Sequence, residues 1–466
     1  MVFRRITTAA ITMIGFAALV AGVGNAGAST SRSTTSQASA ASSGVTTGPA
    51  ACTKYGKNIT LNVGFSEAGS AILDGFNGLA RSFEAANPNV KVNVIAKSFT
   101  SSLETIKLVM SNDSPPDVMQ GNEGWSIDGE LWQAHLLLNL NSYAKAYGWA
   151  SEFPKSALTV NEFSANGKTF GEGDLTGLPQ AIQYVGVFYN KALLKKIGIT
   201  NPATLENKAN FLAALSKAKA ATLTPVELGD EDQWPGLHNI SLFNGWYESP
   251  QNIDSWVFDK KGSTYDDAGR IQAATEMQNW MKDGYFNANA LSTTFADAEA
   301  NFAQGNAVFF ITGTWALGDE YAGLHNNVGF MLFPAGNSGK NEAVGGYSLP
   351  YTISSKTKYP DCAASFLNYI TTSKQAVAAQ VASGRPSALL SSFNQHYSNP
   401  LLQDMVTQYK KLNAEGGEFN WEDWGTPTML TYSGVQAQLL IGGKITPKQY
   451  AVNLQNNWSQ YMKNPL

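Results

Sequence analysis

The stretch NITLNVGF, residues Asn58–Phe65, sets apolar side chains at Ile59, Leu61, Val63 and Phe65, the two-residue period of a strand that turns one face to a core. Ile72, Phe76, Leu79 and Phe83 follow at helical spacing, with Pro88 beyond the stop. Val90–Ile95 alternates again, Leu103–Met110 returns to helical spacing, and Pro115-Pro116 breaks it. Asp117–Gln120 is then a short strand running into Gly121-Asn122-Glu123-Gly124-Trp125. Such a strand–helix–strand–helix–strand opening predicts an α/β fold with a largely parallel sheet. Open sheets of this kind bind ligands in the loops at the carboxyl ends of their strands, which makes Ser66, Glu67, Asn122 and Glu123 candidate site residues.

Further along, Ala181–Tyr189 is an apolar strand, Glu299–Gly305 a polar helix, and Ala307–Ile311 a second apolar strand with Thr312-Gly313-Thr314-Trp315 as its carboxyl-end loop. Val344-Gly345-Gly346-Tyr347 opens another strand, and the segment 356–371 reads as a loop and a helix with Cys362, Phe366, Leu367 and Ile370 on its buried face.

The whole has 466 residues, 43% hydrophobic and only 15% charged, enough for two or three domains with large cores and too apolar for disorder along its length. Its net charge of −4 lacks the basic footprint of a nucleic-acid binder, so the expected ligand is neutral or weakly charged.

Residues 1–28 read as an export signal, with Arg4 and Arg5 ahead of the apolar Ala9–Val23 run and a small-residue cleavage site at Ala26-Gly27-Ala28. An uncleaved anchor is the alternative. Residues 29–56, mostly Ser, Thr, Ala and Gly at their start, read as a flexible tether. The two cysteines, Cys52 and Cys362, admit three readings in an oxidising compartment: lipid on Cys52, a disulfide, or two unpaired thiols.

The order of these pieces resembles the family 1 extracellular solute-binding proteins that deliver sugars to ABC importers. The resemblance rests on Phe83-Glu84-Ala85-Ala86-Asn87-Pro88, Pro116-Asp117-Val118, Gly186-Val187-Phe188-Tyr189-Asn190-Lys191, Phe302-Ala303-Gln304-Gly305-Asn306-Ala307, Gly313-Thr314-Trp315, Gly345-Gly346 and Phe366-Leu367-Asn368-Tyr369, spread over residues 57–466. It implies a two-lobed, type II periplasmic-binding-protein-like α/β fold with a sugar cleft between the lobes and several hinge crossings. One lobe would hold residues 57–182 plus 349–371 and the other 187–345 plus 372–466, with crossings near 183–187, 346–350 and 371–375. It further implies a sugar ligand, the transmembrane subunits of an ABC permease as partners, a monomeric chain, and a place outside the cell, at its surface or in a periplasm.

A pyranose needs planar donors and acceptors around its rim and an aromatic plate on its C–H face. Trp234, Trp256, Trp315, Trp421 and Trp424 stand in loop-like contexts that suit the plate. Trp315, after a strand and two small residues, is the leading candidate and matches the family's stacking tryptophan; Trp421 and Trp424 stay undivided. Gln183 stands where relatives often carry a carboxylate, Asp232 lies beside Trp234, Gly346 and Tyr347 stand at a crossing, and Arg385 offers a fork for hydroxyls or a bridge between lobes.

Catalysis finds weaker support. Gly64-Phe65-Ser66-Glu67-Ala68 narrowly misses the nucleophile elbow, and His135, His238, His325 and His396 lie outside any triad context. Glu67, Glu123 and Asp232 in one cleft would suit glycoside hydrolysis, so a secreted hydrolase is the second reading, with a binding protein serving a sensor the third. No metal-ligand spacing and no nucleotide-binding glycine loop is present, so neither metal nor cofactor is expected.

Overall fold

The computed structural model describes residues 44–68 and 71–463, and the expected signal and residues 29–43 of the tether lie outside them. The opening repeat forms a sheet in the order Val90–Ala96, Ile59–Phe65, Val118–Gln120, Tyr351–Ile353, Gly177–Leu178. Its first three strands are parallel, with Leu61 beside Val92 and Val63 beside Val118, and Tyr351–Ile353 joins antiparallel. The helix Ala71–Ala86 buries Ile72, Phe76, Leu79 and Phe83, the four positions its spacing predicts.

The second sheet runs Glu418–Phe419, Ala343–Tyr347, Ile182–Asn190, Ala307–Gly313, Thr224–Glu227, with Val328–Met331 antiparallel to the far half of Ile182–Asn190. Ile182–Asn190 is central and buried at every position but Tyr189, which is why it reads as a continuous apolar run instead of an alternating one. Two sheets, each flanked by helices, make two lobes.

The crossings differ from expectation. Gln183 and Tyr184 are already paired with Gly346 and Gly345 inside the second sheet, so the chain changes sheets at residues 179–181 instead of 183–187. The return passes through residues 348–350, between Tyr347 and Tyr351. The third crossing is not at 371–375: Ser373 caps the helix Lys374–Ala382, which packs on Ala71–Ala86 of the first lobe. Residues 372–382 therefore go with the first lobe, and the chain crosses after Ser383.

The three passages are tied together. The Ser348 hydroxyl accepts from the backbone N–H groups of Gln180 and Ala181, both at 3.1 Å. The Ala388 N–H donates to Gln180 O at 3.0 Å, and Ile182 N–H to Pro386 O at 2.9 Å.

The tether ends earlier than residue 56. Cys52 is disulfide-bonded to Cys362, 310 residues away, which selects among the three readings of the cysteines. Around the bridge the short helix Ala50–Thr53 buries Ala51 and Cys52, while the carboxylate of Asp361 receives the Thr46 N–H at 3.0 Å, the Tyr143 hydroxyl at 2.6 Å and the Lys54 ammonium. A cross-link and an ion pair order a segment whose composition alone would leave it loose. From Val45 onward the chain forms one compact unit, and among the described residues no helix is long and apolar enough to cross a membrane.

Candidate functional site

The parallel strands of the first sheet end facing the second lobe, and their loops meet it around a cavity of about 310 Å³. The first lobe contributes Glu67 from the end of Ile59–Phe65 and Asn122 and Glu123 from the end of Val118–Gln120. The second contributes Asp232, Trp234, Trp315, Trp421 and Trp424, with Gln183 and Tyr347 from the two strands that carry the crossings. Ten of the sequence candidates thus share one wall-to-wall space.

Four candidates do not line it. Ser66 is buried with its Oγ 2.7 Å from Ser102 Oγ and 3.0 Å from Gln120 O, so it ties strand ends together. Trp256 is fully buried, 4.9 Å from the Tyr265 ring and stacked with Trp458, because the helix Pro250–Val257 turns it into the core. Gly346 is spent on the ladder beside Gln183, where a Cβ would meet Glu418 Oε1 at 2.7 Å. Arg385 is buried behind Glu67, with Nη1 3.6 Å from Glu67 Oε1, and braces that carboxylate together with the Gln120 amide.

The aromatic residues form a cluster. Trp234 lies 6.1 Å from Trp315 at 66°, and Trp315 lies 6.2 Å from Trp421 at 40°. Each is only partly buried, unlike Trp424, which is 4% exposed and packed under the 122–125 loop. Trp315 reaches its place because Gly313 has no side chain: a Cβ there would stand 1.9 Å from the indole, so the ring folds flat over its own strand end. Trp234 begins the helix Trp234–Gly245, whose first turn is fixed by Asp230 accepting from Gly236 N–H at 2.7 Å.

Both lobes hold this arrangement. Asp232 accepts from Thr100 Oγ1 of the first lobe and from Phe295 N–H of the second, each at 2.8 Å. Phe99 meets Trp234 edge-on at 6.0 Å. Trp125 Nε1 donates to Asp259 Oδ2 at 2.7 Å, and Ser126 Oγ to Thr426 O at 2.8 Å. Gly124, at φ +77°, lets the loop approach Trp424 so closely that a Cβ would sit 2.3 Å from that residue's own.

Sequence reasoning missed His238, Phe99, Phe295, Glu299, Asp319 and Asp423, which also line the cavity. His238 follows Trp234 by four residues, one helical turn on the same face, and that spacing was a usable signal. Its ring lies 4.4 Å from Trp421 and 4.9 Å from Trp234, and burial pushes its imidazole down to about 3, so it is neutral. Phe99 follows the Val90–Ala96 strand and obeys the same strand-end rule as Glu67.

Burial dominates the electrostatics. It holds the Glu123 carboxyl well above the usual range, with Asp128 and Asp423 adding repulsion, and pushes Asp423 up to about 7. At one edge burial and the Asp319 charge push Glu299 up to about 8, and burial followed by Glu299 and Asp319 pushes Glu320 up to about 10. Because the folded state then binds a proton that the unfolded state releases above about 4.5, stability falls as pH rises from there toward about 10, by at most ~1.4 kcal/mol per pH unit from one such group. The melting temperature is expected to fall between pH 6 and pH 9, and Glu320→Gln to flatten that slope; a variant with the wild-type slope refutes the assignment.

Three residues that line this space each keep a buried polar atom without a partner among the described residues: Glu123 Oε1, Gln183 Nε2 and His238 Nδ1. A cluster of tilted and edge-on aromatic rings with polar side chains around it suits an amphipathic ligand with planar faces and a hydroxyl rim.

Comparison with known proteins agrees with this geometry. Residues 65–377 match the family of bacterial extracellular solute-binding proteins. The chain is 24% identical over 307 residues to the multiple sugar-binding protein of Streptococcus mutans and 25% identical over 301 to the maltodextrin-binding protein MdxE of Bacillus subtilis, covering 64% and 62% of this chain. These matches span 67% and 64% of the relatives' own lengths. Among solved structures, a chitin oligosaccharide binding protein superposes with a TM-score of 0.76 at 21% identity, covering 87% of this chain and 99% of that one. A maltose-bound MalE3 of T. maritima superposes at 0.71 and 14% identity, covering 86% and 99%. The fold is the two-lobed one of periplasmic sugar-binding proteins, and the chain belongs to the bacterial extracellular solute-binding protein family.

Proposed function

We propose that the chain is an exported, monomeric receptor that captures a di- or oligosaccharide by lobe closure and passes it to the transmembrane subunits of an ABC permease. The observation that carries the reading is the Trp234, Trp315 and Trp421 cluster lining one cavity with Glu123, Gln183 and His238, each of which keeps a buried polar atom unpartnered among the described residues. Its volume lies at the lower end of the range for small-molecule sites, roughly 300–1,000 Å³. More than one aromatic plate favours more than one sugar ring. Sugar-binding relatives support the ligand class, and family membership supports the permease as partner.

Ligand held between the lobes stabilises the closed state through contacts the open state lacks, and the closed surface is what the permease distinguishes. Micromolar affinity requires about 8 kcal/mol, within reach of two stacked rings and a hydrogen-bonded rim.

A hydrolase is the second reading, favoured by Glu67, Glu123 and Asp232 around one space. A thermal-shift screen of the chain against mono- and oligosaccharides, with chromatography of each sugar afterwards, separates the two. A ligand that binds only the folded state raises its melting temperature by mass action. The expected result is a shift with intact sugar; shortened sugar would establish the hydrolase, and no shift with any sugar would overturn both.

A further inference from the structure

We infer that the sugar taken by this cleft carries a protonated amine, its ammonium held between Glu123 of the first lobe and Asp423 of the second. The inference rests on the sugar-receptor reading and names the ligand's charge.

Among the described residues, six carboxyl side chains line the cavity and no Lys or Arg does. Arg385 braces Glu67 from behind. None of the ion pairs among the described residues includes Glu123 or Asp423. Glu123 is 3% exposed, and its Oε1 has no hydrogen-bond partner among those residues.

The pair spans the cleft. Glu123 comes from the loop after Val118–Gln120, Asp423 from the turn Glu422–Trp424, and the Asp423 charge acts directly on Glu123. Closure therefore sets two carboxyls close together in a space from which water is being removed, where burial and mutual repulsion favour their protonated forms. A neutral ligand leaves them protonated; a cation between them lets both ionise and replaces the repulsion with two attractions. Trp421 and Trp424 bracket Asp423 and add faces that attract a cation. A bare metal ion is a poorer occupant, since no group of three His, Cys, Asp or Glu side chains among the described residues is placed to hold one.

The test is titration calorimetry at pH 7 with matched sugars that differ only at C2: β-1,4-linked trimers of glucose, glucosamine and N-acetylglucosamine, and the monosaccharide pairs glucose/glucosamine, galactose/galactosamine and mannose/mannosamine. We expect at least one amine to bind at least tenfold more tightly than its hydroxyl counterpart. Glu123→Gln, and independently Asp423→Asn, should remove that preference, bringing the ratio of amine to neutral affinity to within threefold of one whatever each change does to neutral-sugar binding. If no amine outbinds its counterpart, or if both variants keep the preference, the proposal falls. A neutral sugar that binds in that case leaves the receptor reading standing, and a panel in which nothing binds removes both.

Discussion

Trp315→Ala is expected to weaken sugar binding by more than tenfold while moving the melting temperature of the ligand-free protein by no more than about 3 °C, read by calorimetry and thermal shift on the same preparation. The indole is partly exposed to the cavity and lies on Gly313, with Trp234 and Trp421 as its ring neighbours. A tryptophan buries 150–250 Å² in all, so one face gives a ligand roughly 100 Å², or about 2.5 kcal/mol at about 25 cal/mol per Å². That exceeds the ~1.4 kcal/mol of a tenfold change. Removing a ring from the wall of an existing space opens it further without creating a sealed core cavity, which is why stability should barely respond. Gly313→Ala gives an independent check, because its methyl would displace the indole while leaving the indole present. Trp256→Ala should behave oppositely and cost about 3–5 kcal/mol of stability, as expected for a fully buried aromatic. Unchanged affinity in Trp315→Ala would remove that residue from the site.

Opening the Cys52–Cys362 bridge should have the largest effect on stability. For two residues 310 apart, the loop-closure argument gives about 6 kcal/mol of lost stabilisation, or about 12 °C at ~2 °C per kcal/mol. Asp361 still holds Thr46, Lys54 and Tyr143 when the bridge is gone, so the native contacts persist and the loss falls on the unfolded ensemble. Calorimetry of the Cys52→Ser/Cys362→Ser double variant should show the drop without reductant, and the wild type should show it only with reductant. A double variant melting within 2 °C of wild type would mean that the bridge constrains little.

The fold was legible because burial of one face leaves a period in the sequence: Ile59, Leu61, Val63 and Phe65 in a strand, and Ile72, Phe76, Leu79 and Phe83 in a helix, recur as buried faces. Strand-end logic found Glu67, Asn122, Glu123 and Trp315, because a loop's position follows from the strand before it. It ranked Trp315 first but gave no ground for discarding Trp256, an aromatic residue near polar neighbours that only tertiary packing turns inward. Glu299 and Asp319 come from separate helices and meet only in the folded chain. Overall charge does not report local distribution: the chain is only −4 over 466 residues, yet six carboxyl side chains line the space where the lobes face each other.

Ser348, Gln180, Ala181 and Ala388 knot three strands of chain into one narrow neck. Three independent connections would let the lobes slide and shear as well as turn, whereas a knotted neck resists translation and leaves rotation as the soft degree of freedom. Cleft width then becomes a single angular coordinate, and a ligand sets it as a wedge sets a door: one that fits lets the rim meet, and one too long holds the angle open.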